Sequence, residues 1–378
     1  MKKLFKQYST ETILLFVALL FVALTSAEML SPMNITAIFL QNSYTFILVV
    51  GMTICMTVKD NIDISIGSFV CFICSMGGVL MSVFKFGTAL TILSLLILGI
   101  LWGILAGYII AYCKIPAWVT TLGGYLAFRG LGVALINHFS DTGSIVGLND
   151  SFLRLFSGKV FQTSIGDFSW GAFLLCLLLA TLVLLYRILS NKREKKAAGK
   201  SELITGLVLY LAALVIGSAF ASTGGIPVSF LWVFLLVSLT ALWLDKTSEA
   251  RKLIMIGSNP ENARMAGINT KRAILMTYVF MALCATLAAC IVLARYHASS
   301  SYAGINFEMD TIAACVIGGV SLKGGKQSIL KAVLGATLIG ITNLGLSLLG
   351  VDMNWQWIMK GFIILLAVGL DSYLNKKE

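Results

Sequence analysis

The sequence predicts an all-α polytopic membrane protein with about 10 to 12 membrane-spanning helices. Of its 378 residues, 58% are hydrophobic and only 12% are charged, and the mean hydropathy is +0.93. A soluble globule needs more polar surface than this composition supplies. The apolar residues also form runs of roughly 20, the length that crosses a hydrocarbon core about 30 Å thick. We therefore predict a single transmembrane domain over residues 1–378.

Twelve segments are candidate spans, and short or glycine-rich ones among them are expected to be broken or re-entrant helices. The segment 310–322 is short enough to be either a crossing or a re-entrant segment. The candidates are residues 12–29, 36–57, 63–83, 89–112, 117–137, 168–189, 203–221, 228–245, 273–294, 310–322, 329–350 and 355–373.

Basic residues predict the orientation, because Lys and Arg near span ends are retained on the cytoplasmic side. With the N-terminus inside, 22 of the 28 Lys and Arg residues fall on cytoplasmic segments and four on external ones. Twelve crossings then place both termini in the cytoplasm. The net charge of +11 is dispersed over loops, so it indicates topology rather than a nucleic-acid surface.

The sequence offers little for catalysis or for a bound cofactor. It has two histidines, neither beside a nucleophile pattern, and Cys71 and Cys74 have no second pair to complete a metal set. Most of the eight cysteines lie in apolar runs and are expected to be small core residues. GGVSLKGGK, residues 318–326, lacks the ending of a nucleotide-binding loop. We predict no enzyme activity, no cofactor and no metal in this chain, so active transport would need an ATPase partner or an ion gradient.

Small and polar residues are concentrated in three apolar segments: DISIGSFVCFICSMGG, IPAWVTTLGGYLAFRG and DTIAACVIGGVSLKGGKQ. They either allow close helix packing or line a passage for a hydroxyl-rich solute. In the third segment the glycine density also predicts a helix broken at membrane depth. The candidate lining residues are Ser65, Gly67, Ser68, Thr120, Thr121, Gly123, Gly318, Gly319 and Ser321.

The stretch VKDNIDISIGS, residues 58–68, interrupts the apolar sequence with charge. Lys59 and Asp60 are expected to end one span on the cytoplasmic side. Asp63 is expected to begin the next helix as a structural cap, favoured there by the helix dipole. Pro116 similarly predicts a break before the following span.

The loop over about 246–272 contains IGSNPENARMAGIN, which predicts a helix of two or three turns outside the membrane. Ser258 or Asn259 can cap it, Pro260 can begin it and Gly267 can end it. Such a helix is either a spacer or a rigid face for a cytoplasmic partner. Its candidate residues are Ser258, Asn259, Pro260, Glu261, Asn262, Ala263, Arg264, Ala266 and Gly267.

Four ordered motifs now carry a resemblance that covers most of the chain: NIDISIGS, IPAWVTTLGGYLAFRGL, IGSNPENARMAGIN and EMDTIAACVIGGVSLKGGKQ. With them the sequence resembles the permeases of bacterial ATP-binding-cassette monosaccharide importers of the ribose, xylose and multiple-sugar type. Residues 165–225, an extra helix pair around a basic loop, make it similar to the xylose and multiple-sugar branch.

This resemblance implies a type II-like importer permease in the bacterial plasma membrane. It implies a permease homodimer in membrane lipid, a cytoplasmic ATPase that uses the ATP, and an external sugar-binding protein. The ATPase-coupling loop would be residues 258–267, although Asn262 departs from the family's Glu-Ala-Ala pattern. The same machine could import a nucleoside, an autoinducer or a branched-chain amino acid. An ion-coupled carrier is a further alternative, disfavoured because few charges lie in mid-span.

Overall fold

The computed structural model describes residues 9–163, 167–193, 200–362 and 365, and these are overwhelmingly helical. The helices are α1 Ser9–Leu24, α2 Pro32–Thr57, α3 Ile66–Ser82, α4 Thr88–Ala111, α5 Ala117–Phe139, α6 Asp150–Ser157, α7 Trp170–Arg193, α8 Lys200–Ser222, α9 Val228–Lys246, α10 Ser248–Ser258, α11 Pro260–Met265, α12 Thr270–Tyr296, α13 Phe307–Ile317 and α14 Ile329–Leu348, with a further helical stretch over 353–362. A 3-10 turn, Glu28–Leu30, precedes α2.

Eleven of the twelve candidate spans coincide with helices in the described part of the chain, with ends that differ by a few residues. Six helices (α2, α4, α5, α9, α12 and α14) are long and apolar enough to cross a membrane by length and composition. Shorter apolar helices cover Leu14–Leu24, Ile66–Ser82, Trp170–Leu185 and Tyr210–Ser222. The predicted all-α membrane fold is confirmed.

Several sequence-based expectations concern residues outside the described ranges. The candidate span 355–373 is described only to residue 362 and at 365, where it is helical. The basic residues at 2, 3, 6, 376 and 377, and residues 194–199 of the basic loop, also lie outside. The cytoplasmic location of the two termini therefore stays a prediction.

The molecule has two ends, which we name by the residues found there. At the strand end, β1 Ser144–Val146 pairs antiparallel with β4 Ala298–Ser300, and β2 Lys159–Val160 pairs with β3 Ile226–Pro227. The Lys59 end contains the last residues of α2, helices α10 and α11, and Gly324–Gly325. Near its start α2 contacts the strand end, where the Thr36 and Thr223 hydroxyls are 3.1 Å apart, and its 26 residues reach the Lys59 end.

The chain from 301 to 325 crosses between these ends as a broken helix. It leaves β4 at the strand end, and the Gly325 N–H donates to the Thr57 carbonyl at the Lys59 end, 2.9 Å away. Only 11 of its residues form α13, which rises about 16 Å, half of a hydrocarbon core. The glycine-rich segment is therefore broken as predicted, and 310–322 belongs to a crossing rather than to a re-entrant loop.

The preceding crossing through α3 is broken as well. Residues 61–64 have no regular secondary structure, and the helix begins at Ile66 rather than at residue 63 as the candidate span implied. Asn61 and Asp63 are nevertheless buried, so the non-helical backbone lies inside the protein. Irregular backbone at membrane depth is tolerated where protein covers it.

Helices α2, α12 and α14 form the centre of the bundle. In their most apolar windows 72%, 61% and 61% of residues are buried, against 28% for α4 and α5. Small residues bring α4 onto α12: a β-carbon on Gly103 would lie 2.5 Å from the Val279 Cα, and one on Gly107 would lie 2.7 Å from the Leu275 Cα. With Gly99 these glycines recur every four residues, a spacing that lets two helix backbones approach.

We expect Gly103→Ala to destabilise the protein because its β-carbon would meet the backbone of α12. Overpacking of this kind costs about 1–3 kcal/mol. The matched control is Gly130→Ala on α5, where nothing lies within 4 Å of the added carbon. The measurement is thermal unfolding in detergent micelles. Equal unfolding midpoints for the two variants would contradict close packing between α4 and α12.

Candidate functional site

The loop between α9 and α12 forms two short helices at the Lys59 end. Helix α11 follows Asn259, whose Oδ1 accepts the N–H groups of Glu261 and Asn262 at 3.0 and 3.1 Å. Asn259 is thus the cap, and Pro260 begins the helix as predicted. Ser258 instead ends α10, and its hydroxyl donates to the Ile254 carbonyl at 2.9 Å.

Helix α11 is shorter than the two or three turns predicted. Its six residues make roughly 1.7 turns at 3.6 residues per turn. The helix proper covers only Pro260–Met265, between the cap Asn259 and the C-cap Ala266. The chain then turns at Gly267, where φ is +76° and the N–H bonds back to the Arg264 carbonyl at 2.9 Å. Gly267 is therefore the predicted stop, since a positive φ favours glycine. Helix α10 was not predicted from the sequence.

The two loop helices are anchored by an apolar cluster and leave a polar face outside. Ala263, the buried residue of α11, packs with Leu253 and Ile256 of α10 against Ile54 of α2 and Ile329 of α14. The remaining predicted loop residues are exposed or half-buried. Those exposed are Ser258, Asn259, Glu261, Asn262, Arg264, Ala266 and Gly267, together with Met265. This face is available to a partner at the Lys59 end.

Asp63 was predicted to cap α3, but the N-cap is Ser65 and Asp63 lies two residues before it, where it holds Ser65 instead of the first turn of the helix. The Asp63 Oδ1 accepts the backbone N–H of Ser65 at 2.9 Å and the Ser65 hydroxyl at 2.6 Å. The neighbouring Asn61 Oδ1 accepts a hydrogen bond from the Tyr278 hydroxyl at 3.4 Å. These contacts satisfy Oδ1 of Asp63 and Oδ1 of Asn61 where the chain enters the bundle without helix, whereas Asn61 Nδ2 is buried without a partner.

The residues predicted to line a pathway occupy different environments within the subunit. Ser65, Gly67, Ser68, Thr121 and Gly318 are buried, and Thr120 is half-buried. Exposed positions are Gly123 on α5, and Gly319 and Ser321 after α13. The starts of α3 and α5 do come together, because a β-carbon on Gly124 would lie 3.1 Å from the Ser65 Cβ. Gly318 and Ser321 lie nearer the Lys59 end.

A polar cluster joins the two broken crossings. Gly67 and Gly304 touch through their backbones, since a β-carbon on either would overlap the other's carbonyl oxygen. The Glu308 carboxylate lies against Gly67 and is only 2% exposed. Its Oε2 and the Ser68 hydroxyl have no hydrogen-bond partner. Glu308 was not predicted as a site residue, although a carboxylate in an apolar run is itself a signal.

Arg129 holds the non-helical part of the second crossing from α5. Its Nη1 donates to the Ala303 carbonyl at 3.0 Å and to the Ser301 carbonyl at 3.5 Å. Arg129 is one of the few charges in mid-span, because it lies near the middle of α5. Its charge is used to satisfy carbonyl groups that have no helix partner.

The start of α13 is fixed from two further sides. The Phe307 ring stacks on Tyr44 of α2, with centroids 3.7 Å apart. The Asp310 carboxylate accepts hydrogen bonds from the Lys360 ammonium at 2.9 and 3.0 Å. The side chains are 10% and 16% exposed, so this ion pair is largely shielded from solvent.

Together α5 and the 301–319 segment present an exposed apolar face. We call it the α5 face. It contains Leu122, Gly123, Leu126 and Gly130 from α5, and Tyr302, Ile305 and Met309 from the broken crossing. Gly123 and Gly130 have nothing within 4 Å of an added β-carbon, so a second surface could approach closely here.

The described residues contain no cluster of three His, Cys, Asp or Glu side chains suited to a metal ion. All eight cysteines are unpaired; seven are buried and only Cys113 is exposed, as expected for small core residues. The described residues form a helix bundle with two broken crossings, and the short capped helix α11 exposes one face at the Lys59 end. This combination is typical of a membrane-spanning transport protein.

Comparison with known proteins agrees with this class. The sequence profile of the branched-chain amino acid transport system / permease component family matches residues 34–368. The chain belongs to this family. No solved structure matches the chain.

Curated relatives match over nearly the whole chain. The xylose transport system permease protein XylH of Haemophilus influenzae is 32% identical over 93% of this chain and 92% of its own length. The galactose/methyl galactoside import permease protein MglC of Escherichia coli is 28% identical over 100% and 98%. The ribose import permease protein RbsC of Haemophilus influenzae is 28% identical over 97% and 93%. The predicted resemblance to sugar importer permeases is confirmed.

We expect the Asp310–Lys360 pair to stabilise the fold as a unit. Asp310→Asn or Lys360→Met alone leaves one shielded charge without its partner, at a cost on the order of 3 kcal/mol. The double variant removes both charges and should recover much of that loss. Unfolding of the four proteins in detergent measures the coupling.

The exposed pair Glu249 and Lys252, 2.6 Å apart, is the control. Glu249→Gln should change stability by less than about 1 kcal/mol, because surface ion pairs contribute little. Strictly additive effects at Asp310 and Lys360 would contradict the coupling.

Proposed function

We propose that this chain is the membrane-spanning subunit of an ATP-driven importer and forms the translocation pathway for a monosaccharide, with xylose as the first candidate. The main support for this proposal is the 32% identity to xylose permeases over nearly the full length of both chains. The permease does not hydrolyse ATP; a separate cytoplasmic ATPase does. Selectivity would lie largely in an external binding protein, because a pathway must release its cargo.

The Lys59 end is the cytoplasmic end in this proposal. The described basic residues at that end include Lys59, Lys114, Lys252, Arg264, Lys271, Arg272, Lys323 and Lys326, against Lys85, Arg154, Lys159 and Arg295 at the strand end. This excess follows the positive-inside rule. Helix α11 and its exposed residues would then contact the ATPase, and the strand end would receive the binding protein.

Two copies of the chain would enclose the pathway between their α5 faces. The open glycines Gly123 and Gly130 permit close contact, and exposed Leu126 and Met309 supply apolar surface. Ser65, Gly67 and Ser68 would support this wall from within the subunit. Neutral hydroxyl-bearing cargo suits such a wall, because the charged residues of the cluster, Arg129 and Glu308, point to protein groups.

The deciding experiment is uptake by proteoliposomes that contain the permease, its ATPase and its binding protein. We expect ATP-dependent accumulation of labelled xylose that is insensitive to proton uncouplers. Unlabelled galactose, ribose and leucine serve as competitors to define the cargo. Competition by leucine alone would replace the sugar with a branched-chain amino acid, and gradient-driven uptake without ATP would contradict the importer.

A matched pair of methionines tests the ATPase contact. Met265 on α11 and Met33 at the start of α2 are 80% and 73% exposed and lie at opposite ends of the molecule. We expect Met265→Glu to abolish co-purification of the ATPase, because it replaces the large apolar side chain on the exposed face of α11 by a charge. Met33→Glu should leave it unchanged. Equal co-purification with both variants would place the ATPase contact outside α11.

A further inference from the structure

Three segments distant in sequence meet through their backbones at the Lys59 end. They are Thr57 at the end of α2, Gly257 near the end of α10, and Gly325 in the loop before α14. The Gly325 N–H donates to the Thr57 carbonyl at 2.9 Å. Gly257 lies beside this bond: an added β-carbon would overlap the Thr57 oxygen and lie 2.7 Å from the Gly325 nitrogen. We call these three residues the glycine junction.

The neighbouring residues leave equally little space. A β-carbon on Gly324 would lie 2.7 Å from the Gly257 oxygen and 2.8 Å from the Lys59 nitrogen. Gly324 and Gly325 also have φ values of +78° and +93°, which other residues rarely adopt. The contact is therefore made by backbone atoms, without flexible side chains between them that could absorb a displacement.

Each of the three chain segments that meet at the glycine junction continues into a different functional element. Gly257 is two residues before Asn259, the cap of α11. Thr57 leads through the buried residue Asp63 into α3, the first broken crossing. Gly325 closes the second broken crossing, whose other half contains Glu308 against Gly67. A shift of α11 against fixed neighbours would have to separate or compress these backbones.

We propose that Gly257 is a positioning residue for transport, because it passes the movement of α11 to both broken crossings at once. The proposal rests on the proposed function, in which an ATPase moves α11. Gly257 touches neither cargo nor nucleotide. It acts by keeping α10 in rigid contact with Thr57 and Gly325, so that the three chain segments move as one body.

The first test replaces Gly257 by Ala in the reconstituted permease, ATPase and binding-protein complex. A methyl group there pushes α10 away from Thr57 while the exposed face of α11 stays unchanged. We expect ATPase co-purification and ATP hydrolysis close to wild type, with sugar uptake per ATP reduced about tenfold or more, since small misplacements of this kind have large effects on rates.

The control is Gly87→Ala at the strand end, where nothing lies within 4 Å of the added carbon. It should keep uptake per ATP at the wild-type value. A wild-type value for Gly257→Ala as well would overturn the proposal. Absence of ATP-driven uptake by the wild-type complex would instead contradict the proposed function, so the two failures are distinguishable.

A second measurement leaves Gly257 in place and thus does not depend on the variant folding. Spin labels on Lys59→Cys and Met255→Cys, both at exposed positions, report the distance across the junction in a background with Cys113→Ser. Cys113 is the one native cysteine that is exposed. The distance should stay constant to within about 2 Å, the size of a small helix shift, between nucleotide-free and ATP-bound complexes.

A larger change in that distance would mean that α10 slides over the end of α2 during transport, which overturns the proposal. A constant distance together with uncoupling in Gly257→Ala supports it. If Gly257→Ala fails to fold, the distance measurement alone decides.

Discussion

The whole arrangement depends on the need to satisfy backbone N–H and C=O groups inside a membrane. A regular helix does this by itself, but α3 and α13 are broken, and their flanking segments leave polar backbone at membrane depth. Lipid cannot pair with these groups, so protein must. Asp63 pairs with the start of α3, and Arg129 pairs with the carbonyls of Ser301 and Ala303. The charged residues in the bundle are therefore structural partners of the breaks.

Glycine makes these breaks compatible with tight packing. At Gly67 and Gly304 the two non-helical segments meet backbone to backbone, and at Gly257 the loop helix meets the end of α2 in the same way. Larger residues would separate the segments and expose the unpaired groups between them. Both contacts are made by atoms with little freedom to adjust, so the broken crossings behave as stiff elements joined at two points. The close backbone contacts that keep polar groups away from lipid thus also join the two broken crossings to each other and to the loop helix.

Much of the fold could be predicted from the sequence because it depends on local properties. The length of the apolar runs predicted the positions of eleven spans, and single residues such as Pro116 and Asn259 predicted helix starts. Glycine density predicted the break after α13. Helix α10 was missed because it is not a long apolar run, although it has a local start signal: the Thr247 hydroxyl accepts the Ala250 N–H at 3.2 Å, and Glu249 lies in the first turn.

The candidate sites were less accessible to sequence reasoning because they are contacts between distant segments. Nothing near Glu308 in the sequence indicates that it lies against Gly67. Likewise, the sequence around Arg129 does not indicate that it donates to the carbonyls of Ser301 and Ala303. Ser65 and Ser68 were predicted from their polarity, which does not reveal whether they face another helix or a passage. In the structure both serines are buried against other parts of the same chain.

In the proposed importer, the same contacts would connect two partners at opposite ends of the chain. A movement applied to α11 would reach Thr57 and Gly325 through their backbone contacts with Gly257, and the second crossing would carry it toward Phe307 and Asp310. There Tyr44 and Lys360 hold the start of α13 against other helices. Since α13 is only 11 residues long, a shift at one end can tilt it without bending a full-length helix. A short helix held at both ends by fixed contacts is thus better suited than a continuous span to transmit a small displacement across the bundle.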